Sequence, residues 1–150
     1  MNMTRDVIIL IADDDLGHAR LIEKNLRRAG LHNDILRFDD GQQILDFLFQ
    51  RGEGEKRVAD TPYLLLLDIR MPKVDGVQVL KEIKQDPELR KIPISMLTTT
   101  DDPREVERCH ALGCSNYIVK PVDYDKFSEA MKNLGLFISL VQVPDIEPKN

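Results

Sequence analysis

The stretch Tyr63-Leu64-Leu65-Leu66-Leu67-Asp68-Ile69-Arg70-Met71-Pro72-Lys73-Val74-Asp75-Gly76 reads as an apolar run, an acid and a turn. Thr61-Pro62 precedes it. A continuous apolar run of this length between turn formers fits a strand buried on both faces. Leucine is a modest strand former, and a buried helix is compatible with the run taken alone. Its shortness and its flanks favour the strand. Asp68 then falls at the strand's carboxyl end, where open parallel sheets place their ligand crevice.

Working outward from that strand, the same alternation recurs on both sides. Val7 to Ala12 is a first apolar run ending in Asp13-Asp14-Asp15. Asp15 is placed to cap a helix from Leu16 to Ala29 that Gly30 ends. Asp34 to Phe38 is shorter and more polar, as an edge strand should be. A short helix over Gln42 to Gln50 and a polar loop to Thr61 lead to the central strand. Asp75, a turn residue before Gly76, opens a third helix that stops near Asp86-Pro87. Ile92 to Leu97 is a fourth strand, followed by Thr98-Thr99-Thr100. Asp102-Pro103 starts a helix to Leu112 that Gly113 caps. Tyr117 to Val119 is a fifth strand, ended by Lys120-Pro121. From Asp123, Phe127, Met131, Leu134, Ile138 and Val141 share one helical face. Leu136, Phe137, Leu140 and Val143 lie off it and call for a second burial partner.

Five β-α repeats imply an α/β fold, a doubly wound parallel sheet with right-handed crossovers. The expected strand order is 2-1-3-4-5, which brings the ends of the first and third strands together. Residues 1–134 are expected to form this domain. Residues 135–150 form a C-terminal extension, apolar to about 143 and then disordered around Pro144 and Pro148. No further output domain is expected after Val143.

The chain has 150 residues and a formal net charge of −5. One domain with a sizeable core follows. The acidic balance argues against direct nucleic-acid binding and against an anionic membrane surface. No apolar segment approaches the roughly 20 residues that span a bilayer. Met1 to Asp6 lacks a signal-peptide pattern, so a cytoplasmic location is expected. Cys109 and Cys114 lack zinc-ligand spacing and read as reduced thiols. His18, His32 and His110 read as surface residues, with His18 beginning near the acid cluster.

Asp13, Asp14 and Asp68 should therefore converge. Carboxylates that close repel one another unless one is protonated or a cation sits among them. A hard divalent ion such as Mg2+ takes oxygen ligands and shares coordination with phosphate, whereas zinc would want His or Cys. A carboxylate can also accept a phosphoryl group, given a cation and hydrogen-bond donors for its oxygens. Lys120 and Thr98 stand at the ends of the fifth and fourth strands to supply these.

In order, Asp13-Asp14 after a strand, Leu66-Leu67-Asp68-Ile69-Arg70-Met71-Pro72-Lys73-Val74-Asp75-Gly76, Leu97-Thr98 and Tyr117-Ile118-Val119-Lys120-Pro121 carry a family pattern. Over roughly residues 5 to 134 the chain resembles the receiver domains of two-component response regulators. The resemblance implies phosphoryl transfer from a sensor histidine kinase to Asp68. It implies Mg2+ held by Asp14, Asp68 and the backbone carbonyl of Arg70, with Asp13 reaching it through water. It assigns Lys120 and Thr98 to the phosphoryl oxygens, a cis peptide to Lys120-Pro121, and a switch to Thr98 and Tyr117. The insert from Gln50 to Thr61 and the tail Leu134 to Pro144 look most like stand-alone receivers paired with phytochrome-type or hybrid sensor kinases, in which the extension tends to mediate homodimers. Arg70 and Thr99 are bulkier than the family's usual residues there. A Mg2+-dependent phosphatase is a second reading, weakened because Arg70 stands where such enzymes carry a second acid. A receiver-fold scaffold without phosphorylation is a third, weakened by the complete acid, Thr98 and Lys120 set.

Overall fold

Strands and helices alternate along the chain in a computed structural model that describes residues 7–121, 123–140 and 143–146. The strands are β1 (Ile8–Ala12), β2 (Ile35–Phe38), β3 (Tyr63–Leu67), β4 (Ile94–Thr98) and β5 (Asn116–Val119). The helices are α1 (Leu16–Arg28), α2 (Gly41–Leu48), α3 (Gly76–Gln85), α4 (Pro103–Leu112) and α5 (Tyr124–Leu140). All strand pairs are parallel, in the order β2-β1-β3-β4-β5 expected from the alternation. β1 and β3 lie in direct register, with Ala12 opposite Leu67, so Asp13 and Asp68 leave the sheet side by side.

The β3 run is buried at all five positions. Its side chains alternate between two cores, as the two-residue period of a strand requires. Tyr63, Leu65 and Leu67 join Leu10, Ile44, Phe47, Val79, Leu80, Ile83 and Met96 beneath α2, α3 and α4. Leu64 and Leu66 join Ile9, Ile11, Ile22, Leu26, Phe127, Met131, Leu134 and Ile138 beneath α1 and α5. Each such burial contributes about 1.5–3 kcal/mol before conformational entropy is set against it. The expected α5 face, Phe127, Met131, Leu134 and Ile138, is buried. Gly135 lets α5 approach α1 closely, since a Cβ there would stand 2.6 Å from that of Ala29.

The expected caps form. Asp15 and Asp102 accept backbone N–H bonds at the starts of α1 and α4, and Asp75, read only as a turn residue, does the same at the start of α3. Gly113 ends α4 with φ +107°, and Gly30 follows α1 with φ +90°. Asp40 also caps α2, a role the sequence reading left as a plain turn. Both ends of β4 moved: Ile92 lies before it, after a 3-10 turn over Leu89–Lys91, and Thr98 rather than Leu97 is its last residue.

The tail is a correction. Residues past 143 were expected to be disordered, yet Ile146 is fully buried and belongs to the core under α2 and α3. It forms an antiparallel bridge with Thr61: Ile146 N–H donates to the Thr61 carbonyl at 3.3 Å and Asp60 N–H to the Ile146 carbonyl at 2.9 Å. The burial of one isoleucine outweighs the nearby prolines. Val141, expected on the α5 face, lies outside the described residues, as does the side chain of Leu140. Among the described residues no helix is long and apolar enough to cross a membrane.

Candidate functional site

β1 and β3 deliver their acids to one spot because their ladders run on past the strand ends. Asp13 N–H donates to the Phe38 carbonyl at 3.1 Å, and Asp68 N–H to the Ala12 carbonyl at 3.0 Å. On the far side, Lys120 N–H donates to the Thr98 carbonyl at 2.6 Å, which brings the lysine to the same end of the sheet. Asp13, Asp68, Thr98 and Lys120 are all buried, while Asp14 is exposed at the rim.

Lys120 binds the two buried acids together. Its ammonium lies 2.6 Å from Asp13 Oδ2 and 3.2 Å from Asp68 Oδ2. The other oxygens are held by backbone. Asp13 Oδ1 accepts from Asp15 N–H at 2.9 Å, and Asp68 Oδ1 from Ile69 N–H at 2.7 Å. Each oxygen has a further lone pair to offer. Burial pushes the Asp13 carboxyl up from its ordinary range, against the opposing pull of its bonds to Lys120 and Asp15 N–H. A buried carboxylate wants a cation.

One oxygen each from Asp13, Asp14 and Asp68 lies within 4.8 Å of the others. Against one ammonium, three ionised carboxylates leave two negative charges, which a divalent cation cancels. An all-oxygen donor set suits a hard ion. The residues present therefore fit a Mg2+-like cation.

The other assigned residues fall as follows. Thr98 is fully buried at the end of β4, and its hydroxyl accepts from Thr100 N–H at a long 3.5 Å. Tyr117 is half-buried and donates its hydroxyl to the Thr100 carbonyl at 2.8 Å. Burial pushes its phenol up to about 12, so it stays a donor. Thr98 and Tyr117 thus meet at Thr100. Arg70 sits in the turn after β3 with its side chain exposed. The Lys120-Pro121 peptide, expected cis, is trans, since no cis bond occurs among the described residues. The trans form is intrinsically favoured for X-Pro by about 0.5–1 kcal/mol, and the ammonium reaches both acids with it.

Two features escaped the sequence reading. Gly76 packs its backbone against the Asp68 carbonyl, and its N–H donates to the Ile69 carbonyl at 2.7 Å. His18, read as a surface residue, is half-buried with Nδ1 only 3.1 Å from the Lys120 ammonium. Its place three residues after the capping Asp15, in the first turn of α1 above the acids, was the available signal.

Comparison with known proteins agrees with this geometry. The family model described as response regulator receiver domain matches residues 9–132. A crystal structure of a response regulator receiver domain from Rhodospirillum rubrum is 48% identical, with TM-score 0.88, covering 95% of this chain and 100% of that one. Response regulator Rcp1 of Synechocystis is 35% identical over 113 residues, 75% of this chain and 76% of that protein. The crystal structure of the Mn2+-bound form of Rcp1 has TM-score 0.83 at 30% identity, covering 92% of this chain and 99% of that one. The phosphorylated cyanobacterial phytochrome response regulator RcpA has TM-score 0.84 at 30% identity, covering 93% and 99%. The fold, the acid cluster and these likenesses agree that the chain belongs to the receiver domain family of two-component response regulators.

Proposed function

We propose that this protein is a cytoplasmic, single-domain response regulator that takes a phosphoryl group on Asp68 from a sensor histidine kinase. The carrying observation is Lys120 spanning Asp13 and Asp68 at 2.6 and 3.2 Å, beside a third carboxylate within 4.8 Å. An Asp68 oxygen attacks the phosphorus of a phosphohistidine. The new P–O bond forms as the P–N bond breaks, and the leaving imidazole keeps the electron pair. Lys120 offers its N–H groups to a phosphoryl oxygen, and the Thr98 hydroxyl turns from Thr100 to donate to another. Asp13, Asp14, Asp68 and the Arg70 carbonyl would hold Mg2+, which when bound neutralises charge on the phosphoryl oxygens. Water later attacks the same phosphorus; the P–O bond to Asp68 breaks, inorganic phosphate leaves with the water's oxygen, and the carboxylate is restored.

The transferred group adds a charge of about −1.5 to −2 at the sheet's end. Drawing Thr98 toward it loosens the tie to Thr100, and Tyr117 is free to turn inward. The faces of α4, β5 and α5 then change. A bacteriophytochrome or hybrid kinase is the proposed donor, because RcpA is a phytochrome response regulator and Rcp1 is a relative. Leu136, 55% exposed on α5, supports a homodimer through the C-terminal extension.

Labelling with acetyl phosphate and Mg2+ tests the reading. Labelling that stops at one equivalent per chain is expected. Steady turnover of small phosphomonoesters would favour the phosphatase instead.

A further inference from the structure

An ammonium carries three N–H donors and no acceptor. In Lys120 the structure places all three: on Asp13 Oδ2 at 2.6 Å, on Asp68 Oδ2 at 3.2 Å and on His18 Nδ1 at 3.1 Å. At that distance a protonated Nδ1 would set donor against donor and, in the imidazolium, charge against charge. Nδ1 is therefore the acceptor, and the ring's proton lies on Nε2. The alternative partner, Asp15 Oδ2, stands 3.6 Å from Nδ1, too far for a good bond. The Asp15 carboxylate is already committed to the helix start, where Oδ1 accepts from His18 N–H at 3.0 Å. That cap fixes the first turn of α1 and with it the ring.

We infer that neutral His18 is a positioning residue that holds Lys120 at the mouth of the acid site for phosphoryl acceptance. This rests on the phosphoacceptor reading above. His18 is the one uncharged acceptor of the three. It is thus the partner Lys120 can exchange for a phosphoryl oxygen while keeping both carboxylates. A second proton on the ring abolishes the acceptor and sets two cations against each other. The charged groups facing the ring among the described residues are Asp15 at the start of α1 and Lys120 after β5, with Asp13 and Asp68 behind the lysine.

The experiment has two arms on the full chain. In the first, long-range proton–nitrogen NMR reads the His18 tautomer in the unlabelled protein, without any phosphoryl donor. The proton is expected on Nε2; a proton on Nδ1 in the neutral ring overturns the inference. In the second, acetyl phosphate labelling rates with Mg2+ are compared between wild type and two variants. His18→Leu is expected to slow labelling about three- to tenfold, the size of one hydrogen bond. His18→Gln, which keeps an acceptor, should recover most of that loss. A wild-type rate in His18→Leu, or no recovery in His18→Gln, overturns the inference. Failure of the underlying reading looks different: Asp68→Asn would still take label.

Discussion

Gly76 opens α3 with its α-carbon against the carbonyl oxygen of Asp68, and any Cβ there would clash with that oxygen, far inside van der Waals contact. The glycine is needed for room. Its φ is not in the left-handed region, so conformational freedom is not the reason. The obstructing atom is backbone of Asp68 itself and cannot rotate away. Gly76→Ala should cost about 2–3 kcal/mol, as overpacking does, and should slow labelling by shifting Asp68. Urea melts and acetyl phosphate labelling check both. Unchanged values for both would show that the α3 start yields freely.

Asp68→Asn should abolish labelling and leave the fold standing. The amide oxygen can still accept from Ile69 N–H, where Oδ1 now does at 2.7 Å. Its NH2 would face the Lys120 ammonium, which retains Asp13 and His18. A change in the urea midpoint corresponding to no more than about 1–2 kcal/mol is expected for one lost charged hydrogen bond. Label retained by the variant would move the acceptor to another residue.

Alkaline titration should destabilise the fold. The Cys109 thiol is fully buried, and burial, with smaller pushes from Cys114 and Glu105, raises it from 9.0 to about 11. Burial also raises the Cys114 thiol and takes the Tyr117 hydroxyl from 10.0 to about 12. In each case the unfolded chain loses its proton first. Stability is therefore full below about pH 9 and falls as pH rises through 11, by on the order of 2 kcal/mol for Cys109. Cys109→Ala should flatten that part of the curve in melts taken across the range.

How much of this was legible beforehand differs by kind of residue. The β3 leucines, the acids after β1 and β3 and the lysine after β5 were placed by period and by turn formers, which are local signals. The strand order followed from alternation, and Asp13 and Asp68 then had to meet. The contact of His18 with Lys120 spans 102 residues and depends on the pitch of α1, so no local pattern announces it. Gly76 read as a turn glycine because its neighbour in space, the Asp68 carbonyl, is not its neighbour in the chain. Ile146 was lost for the same reason. Its proline-rich surroundings favour disorder, and its pairing with Thr61, distant in the chain, is what buries it. The trans Lys120-Pro121 bond corrects an expectation drawn from family likeness, not from these residues.

Ile146→Ala should weaken the fold without touching the chemistry. The side chain is fully buried in the core that also holds Tyr63 and Phe47, at the end of the sheet away from Asp68. Large-to-small changes at such sites cost about 2–5 kcal/mol. The lower end is expected, because this segment can shift to close part of the cavity. Labelling per folded chain should match wild type in the same samples. A cost below about half a kcal/mol would mean that burial of Ile146 contributes little to stability.

Mg2+ should stabilise the protein, and more so as pH rises. Asp13 has its carboxyl raised, chiefly by burial. Without a cation, the contribution of that group is fullest below the ordinary carboxylate value and declines as pH climbs through the raised folded value. A bound divalent ion favours the ionised form and removes the decline. The difference between melting temperatures with and without Mg2+ should therefore be small in acid and grow with pH. Its rise should centre above the ordinary range of an aspartate. Asp13→Asn removes the titrating group and should leave a smaller difference that no longer tracks pH in that window. Thermal melts at a series of pH values, with Mg2+ or with a chelator, measure this directly, and a difference that stays constant across the series would separate Asp13 from the cation.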